Sequence, residues 1–149
     1  MNRLALALAF SLPLAACGGT LTYGSGNLQI DLTDDRLIIH DHIQFGHDSA
    51  EILPESYPLL DAVADVLKEN EQRVTGVQIQ GHTSLTGSDE HNLELSEARA
   101  GAVASYLREH GVTQELTSQG YGEQHPLCQE DTDACHAQNR RVEFFVVHE

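Results

Sequence analysis

Apolar and polar residues alternate through LQIDL (28–32) and again through RLIIHDHIQF (36–45). That period of two predicts half-buried strands, with Asp34 and Asp35 supplying the turn between them. The period then changes. Pro54 can open a helix at its first turn, and Leu59, Leu60, Val63, Val66 and Leu67 recur at helical spacing. Val74 to Gln80 returns to strand patterning, with Val77 and Ile79 on one face. A second helix is predicted from about Asp89 to His110, with Leu93, Ala100, Val103 and Leu107 as its buried stripe and Gly111 just past its end. A short strand near Leu116 to Tyr121 follows, and Arg140 to His148, containing VEFFVV, reads as a buried closing strand. Strand, helix, strand, helix, strand, strand implies two helices packed on one sheet, an α/β sandwich.

The chain's start breaks this pattern. Met1-Asn2-Arg3 is a short basic stretch, and Leu4 to Leu14 is an apolar run interrupted only by Ser11 and Pro13. Such a run is too short to span about 30 Å of hydrocarbon but suits the apolar region of a signal peptide. It ends in Leu14-Ala15-Ala16-Cys17, which resembles the bacterial lipobox, where the cysteine is acylated and becomes the mature N-terminus. The other reading is an ordinary signal with an incidental cysteine. Gly18, rather than Asp, at the second mature position resembles the signal for outer-membrane delivery. We therefore expect residues 1–16 to be a leader, 17–27 a lipidated cysteine and a Gly-rich tether (TLTYGSGN from Thr20 to Asn27), and 28–149 the domain. Several acyl chains, at about 0.8 kcal/mol per buried CH₂, would make the anchoring effectively permanent.

Composition narrows the partners. The 149 residues carry 8 Lys+Arg against 23 Asp+Glu, a formal charge of −15. No basic stripe is present to neutralise phosphates, which argues against nucleic acid and against electrostatic docking on anionic membranes. Hydrophobic content of 40% supports a packed core, and 5% aromatics without Trp make that core mainly aliphatic. With Cys17 set aside, Cys128 and Cys135 remain, and in an oxidising compartment they read as a disulfide. Closing so short a loop is worth on the order of 2.5 kcal/mol in the chain-entropy model. A metal site using His136 is the weaker alternative, because the spacing is not CxxC.

The 9 histidines invite other chemistry. His40 and His42, two apart on an expected strand, form a possible ligand pair, but no third ligand follows at a recognisable spacing, so no metal is assigned. Ser84, His82 and Asp48 contain the residue types of a hydrolytic triad, yet no strand–turn–helix elbow surrounds the serine, so an enzyme is not the reading adopted.

A more specific signal runs through GHTSLTGSDEHNLELSEARA, from Gly81 to Ala100. It resembles the signature of the OmpA-like C-terminal domain, the family of the peptidoglycan-associated lipoproteins, whose usual run is GHTD..G....N..LS..RA. IQFGHDSAEILPES upstream, and YLREHGV, SQGYGEQHP and NRRVEFFV downstream, match the family's other elements in order, so the resemblance covers roughly residues 36–147. It implies an OmpA-like α/β sandwich with two main helices on one mixed sheet of about four strands and a short N-terminal strand pair. It also implies non-covalent, cofactor-free binding of the diaminopimelate side chain of the peptidoglycan stem peptide.

Asn92 and Arg99 are seven residues apart, close to two turns at about 3.6 residues each, so they share one helix face beside the buried stripe. Leu95 and Ser96 lie between them. By spacing alone Arg99 reads as a solvated helix residue or an intradomain ion pair; the resemblance makes it the guanidinium fork that holds a ligand carboxylate. Asn92 and the amides of the loop before the helix, Thr83 included, are expected to add donors, helped by the positive helix end. Asp48 resembles the family's acidic position in the same pocket. His82, Arg140 and Arg141 are expected to be structural, the arginines by pairing with acidic neighbours. Ser84 departs from the family, which usually has Asp there as the partner of the ligand's ammonium group. The implied function is an outer-membrane lipoprotein that holds the cell wall through its periplasmic domain. The alternative is a protein-interaction module, for instance a partner of Tol–Pal-type envelope machinery that has lost wall affinity.

Overall fold

The computed structural model describes residues 21–25 and 28–148, so the expected leader and Cys17 lie outside the described residues. Strands β1 (Leu21–Ser25), β2 (Leu28–Leu32) and β3 (Arg36–Ile39) form an antiparallel meander. A 3₁₀ turn, Pro54–Ser56, leads into α1 (Tyr57–Glu69), so Pro54 opens a turn ahead of the helix. Then follow β4 (Gly76–His82), α2 (Asp89–Glu109), β5 (Glu115–Gly120), α3 (Asp133–Asn139) and β6 (Arg141–Val147). The strands order β1-β2-β3-β6-β4-β5 in one sheet. Only β4 and β5 pair in parallel, with α2 as the crossover between them. The expected strand pair and mixed sheet are therefore one continuous sheet of six strands.

Two boundaries differ from expectation for local reasons. β1 lies within the stretch read as a tether. Its Tyr23 stands opposite Ile30, packs against the core and accepts a 2.8 Å hydrogen bond from Asn70 Nδ2, which offsets the flanking glycines. The strand expected over 36–45 stops at Ile39, because polar side chains take over the backbone and its neighbours. His42 N–H donates to Asp41 Oδ1 at 2.7 Å, and His40 meets Asp31 at the same distance. Pairing resumes only as an isolated bridge between Phe45 and Ile52. His40 and His42 thus follow a strand end and do not share a strand face.

The core lies between the sheet and the two long helices. α1 contributes Leu59, Leu60, Val63, Val66 and Leu67, and the sheet answers with Ile30, Leu32, Val77, Ile79, Phe144 and Val146. Among the described residues the buried core members run from Ile30 to Val146, with Tyr23 and Leu28 packed against them, so residues 21–148 carry a core of their own. α2 buries Ala100, Val103, Ala104 and Leu107 in its C-terminal half as expected, and Gly111 follows its end at φ +89°. Its N-terminal half differs. Leu93 is 44% exposed, while Asn92, Ser96 and Arg99 are buried. The reason is a close approach: Gly81 and Gly120, paired across β4 and β5, leave no room for a Cβ against the backbone of Ser96 and Glu97. Backbone lies on backbone there, so the buried face turns toward small and polar residues.

The third helix, α3, was not expected. DACHAQN has no apolar period, and its order comes from elsewhere. Thr132 Oγ1 caps the N–H of Cys135 at 3.2 Å, and Cys135 is joined to Cys128 as the expected disulfide. Asn139, fully buried, accepts from the N–H groups of Leu127 and Cys128 and donates to Cys128 O at 2.8 Å. The disulfide loop is thereby pinned to the start of β6.

Candidate functional site

Four segments meet at one end of the sheet: the loop between β3 and α1, the loop between β4 and α2, one face of α2, and Arg140 at the junction of α3 and β6. They enclose a cleft of about 520 Å³, lined by all six residues expected there, Asp48, Thr83, Ser84, Asn92, Leu95 and Arg99. His91, Leu95 and Arg99 form a stripe four residues apart along α2.

Arg99 is only 9% exposed. Its Nε donates to Ser49 O at 2.9 Å, and its guanidinium lies 5.0 Å from the centre of the Phe45 ring. Nη1 and Nη2 make no hydrogen bond or ion pair among the described residues, so the outer edge of the fork is available to a planar anion. Burial and the nearby Arg140 lower its pKa, with Asp48 acting against them, but a guanidinium remains charged under such pressure.

Asp48 occupies the left-handed region at φ +48°. Its tight turn is closed by Gly46 N–H to Glu51 O at 2.9 Å and Ser49 N–H to Gly46 O at 3.2 Å. The carboxylate is exposed and meets His91 Nε2 at 2.5 Å. That hydrogen bond first, with burial opposing it, holds its pKa below the usual range. His91 was missed in the sequence. Its signal was its place three residues after the capping Ser88, whose Oγ accepts from His91 N–H at 3.3 Å, in line with Leu95 and Arg99.

Asn92 lines the cleft but does not offer the expected donors. Its Nδ2 donates to Glu123 Oε2 at 2.7 Å and to Thr86 O at 3.0 Å, which fixes the loop between β4 and α2. Ser84 Oγ lies 2.8 Å from Thr86 Oγ1, and the buried Thr83 Oγ1 has no partner among the described residues. Leu95 and Phe45 form the apolar walls.

Ser84, His82 and Asp48 form no relay: Ser84 is bonded to Thr86, Asp48 to His91, and both ring nitrogens of His82 lack partners among the described residues. His82 is 3% exposed and stacks on Tyr121 with centroids 5.6 Å apart. Burial first, and Arg141 second, push its pKa down to about 4. The two arginines expected to pair with acids part company. Arg141 Nε meets Glu143 Oε1 at 2.9 Å as expected. Arg140 ends α3 instead of opening the strand, has no acidic partner among the described residues, and lines the cleft.

The fold is an α/β sandwich, and its cleft sets a buried guanidinium beside one exposed carboxylate. Residues 44–140 match the OmpA family. The chain belongs to that family. Among its relatives, the "Peptidoglycan-binding protein ArfA" of Mycobacterium tuberculosis is 42% identical over 106 residues, covering 70% of this chain and 32% of that protein. The "Peptidoglycan-associated lipoprotein" of Legionella pneumophila is 40% identical over 101 residues, covering 67% of this chain and 56% of that protein. This chain thus spans from about a third to somewhat over half of those curated relatives. The crystal structure of the peptidoglycan-associated lipoprotein from Burkholderia pseudomallei superimposes with a TM-score of 0.61 at 31% identity, over 72% of this chain and 88% of that one.

Proposed function

We propose that this protein holds peptidoglycan non-covalently, through the diaminopimelate side chain of the stem peptide, and that a lipid on Cys17 fixes the domain to the outer membrane from the periplasmic side. The carrying observation is Arg99, a buried guanidinium pinned through Nε while its outer fork faces a cleft. Pinning one edge leaves the other oriented, which is what bidentate recognition of a carboxylate requires. Asp48 is then the nearest group for the ligand's ammonium, with His91 as the partner it exchanges. The peptidoglycan-binding names of the relatives support the ligand class.

No bond is made or broken in this reading, and Asn92 and Ser84 serve by shaping the loop. The test is cosedimentation of the purified domain, residues 21–149, with isolated sacculi. The parent should pellet with them, and Arg99→Ala should stay in the supernatant at an unchanged melting temperature. A parent domain that never sediments would instead favour the interaction-module reading with Tol–Pal-type partners. The feature favouring that reading is Ser84, whose hydroxyl offers the ligand ammonium no charge.

A further inference from the structure

A second hollow, of about 290 Å³, adjoins the cleft and shares Phe45, Arg99 and Arg140 with it. His42, His82 and Arg141 complete its polar lining. Three of the chain's 8 Lys+Arg therefore meet at one hollow in a molecule of charge −15. The carboxylates nearby reach two of them and leave the third uncompensated. Glu143 is bonded to Arg141 at 2.9 Å and lies 3.7 Å from His82, while Asp48 faces Arg99 from the cleft side and is held by His91. Arg140 has no acidic partner among the described residues. His82, 3% exposed, also lines the hollow; neither ring nitrogen is hydrogen-bonded among the described residues, and Glu143 Oε2 lies 3.7 Å from Nε2.

We propose that this hollow is a second anion subsite, taking a free carboxylate on the ligand residue next to the one held in the main cleft. Arg140, which lines both spaces, spans the two groups. The proposal rests on the reading of the main cleft as a diaminopimelate site. It adds that the protein reads two neighbouring acidic groups of a peptide, not one side chain.

The probes are free meso-diaminopimelate, γ-D-glutamyl-diaminopimelate with its free α-carboxylate, and the same dipeptide with that carboxylate amidated. Calorimetry on residues 21–149 compares them. The free-acid dipeptide should bind about five-fold tighter than the amide, Arg140 being exposed and its contact partly screened. The molecule's overall negative charge acts the other way, so tighter binding of the more anionic ligand reports a local site. Arg140→Gln should weaken the free-acid dipeptide about five-fold more than it weakens diaminopimelate or the amide, whereas Arg99→Gln should weaken all three alike. Equal binding of acid and amide by the parent overturns the subsite and leaves the main reading standing. So does an Arg140→Gln variant that loses affinity for every probe alike, because Arg140 would then serve the main cleft only. Failure of diaminopimelate and both dipeptides to bind overturns both readings.

Discussion

His82 and Arg99 are both buried cationic types a few ångströms from the same hollow, yet burial affects them differently. The guanidinium keeps its charge, whereas the imidazole, with a pKa near 4 against 6.5 unperturbed, is neutral at pH 7. Below pH 6.5 the unfolded chain takes up a proton that the native state refuses, so stability falls as pH drops from 6.5 to 4 and levels off below. The contribution is on the order of 3 kcal/mol. Asp48 works in a separate window: its lowered pKa gives stability present above about 3.8 and lost as pH falls further. Urea denaturation at pH 7 and pH 4.5 should show the first drop in the parent and a smaller one in His82→Gln. An equal drop in both would assign it to other histidines. Ser84 carries a second residue-scale prediction. A carboxylate–ammonium hydrogen bond is worth about 1.5–3 kcal/mol against about 0.5–1.5 for a hydroxyl, so Ser84→Asp should tighten diaminopimelate binding about 5- to 30-fold. Calorimetry showing no gain would place the ammonium contact wholly at Asp48.

At the scale of elements, the unit β4–α2–β5 sets the site. Gly81 and Gly120 let the first half of α2 lie directly on the sheet, which turns Arg99 and Leu95 into the cleft. Gly120→Ala should cost about 2 kcal/mol or more and weaken ligand binding as well, since α2 must move off the strand. Thermal melting and calorimetry on the same preparation check both effects; a melting temperature within a degree of the parent would mean that the close approach is not needed. The disulfide should behave oppositely. Reduction should lower the melting temperature and leave sacculus binding intact, because Cys128 and Cys135 do not line the cleft. These elements also show what was readable beforehand. α1 follows from its apolar period because it buries one regular face, and β4 and β6 follow from their apolar residues. Leu93 misled because a contact made through glycines needs no apolar stripe. β1 and α3 were hidden because their order comes from Tyr23 bonding across the fold and from a disulfide loop held by Asn139. All six expected lining residues meet at the cleft, but Asn92's bond to Glu123 depends on a turn distant in sequence, which no local pattern reports.

For the whole molecule, attachment and recognition belong to different parts of the chain. The described residues carry a core of their own, and no helix among them is long and apolar enough to cross a membrane. A charge of −15 gives no electrostatic attraction to an anionic surface. On the proposed reading, therefore, the lipid on Cys17 is what keeps the domain at the membrane. It also keeps it close: with β1 starting at Leu21, four residue steps separate Cys17 from the sheet, a reach of at most about 14 Å. Cys17→Ser should accordingly release the protein into the soluble periplasmic fraction, or leave an uncleaved precursor. Once cleaved of its leader, the released form should still sediment with added sacculi, because the cleft has no part in the anchor. Fractionation of cells expressing parent and variant, followed by sacculus cosedimentation of the soluble fraction, separates the two properties. A Cys17→Ser protein that matures normally and stays with the outer membrane would show that something other than the lipid holds it there.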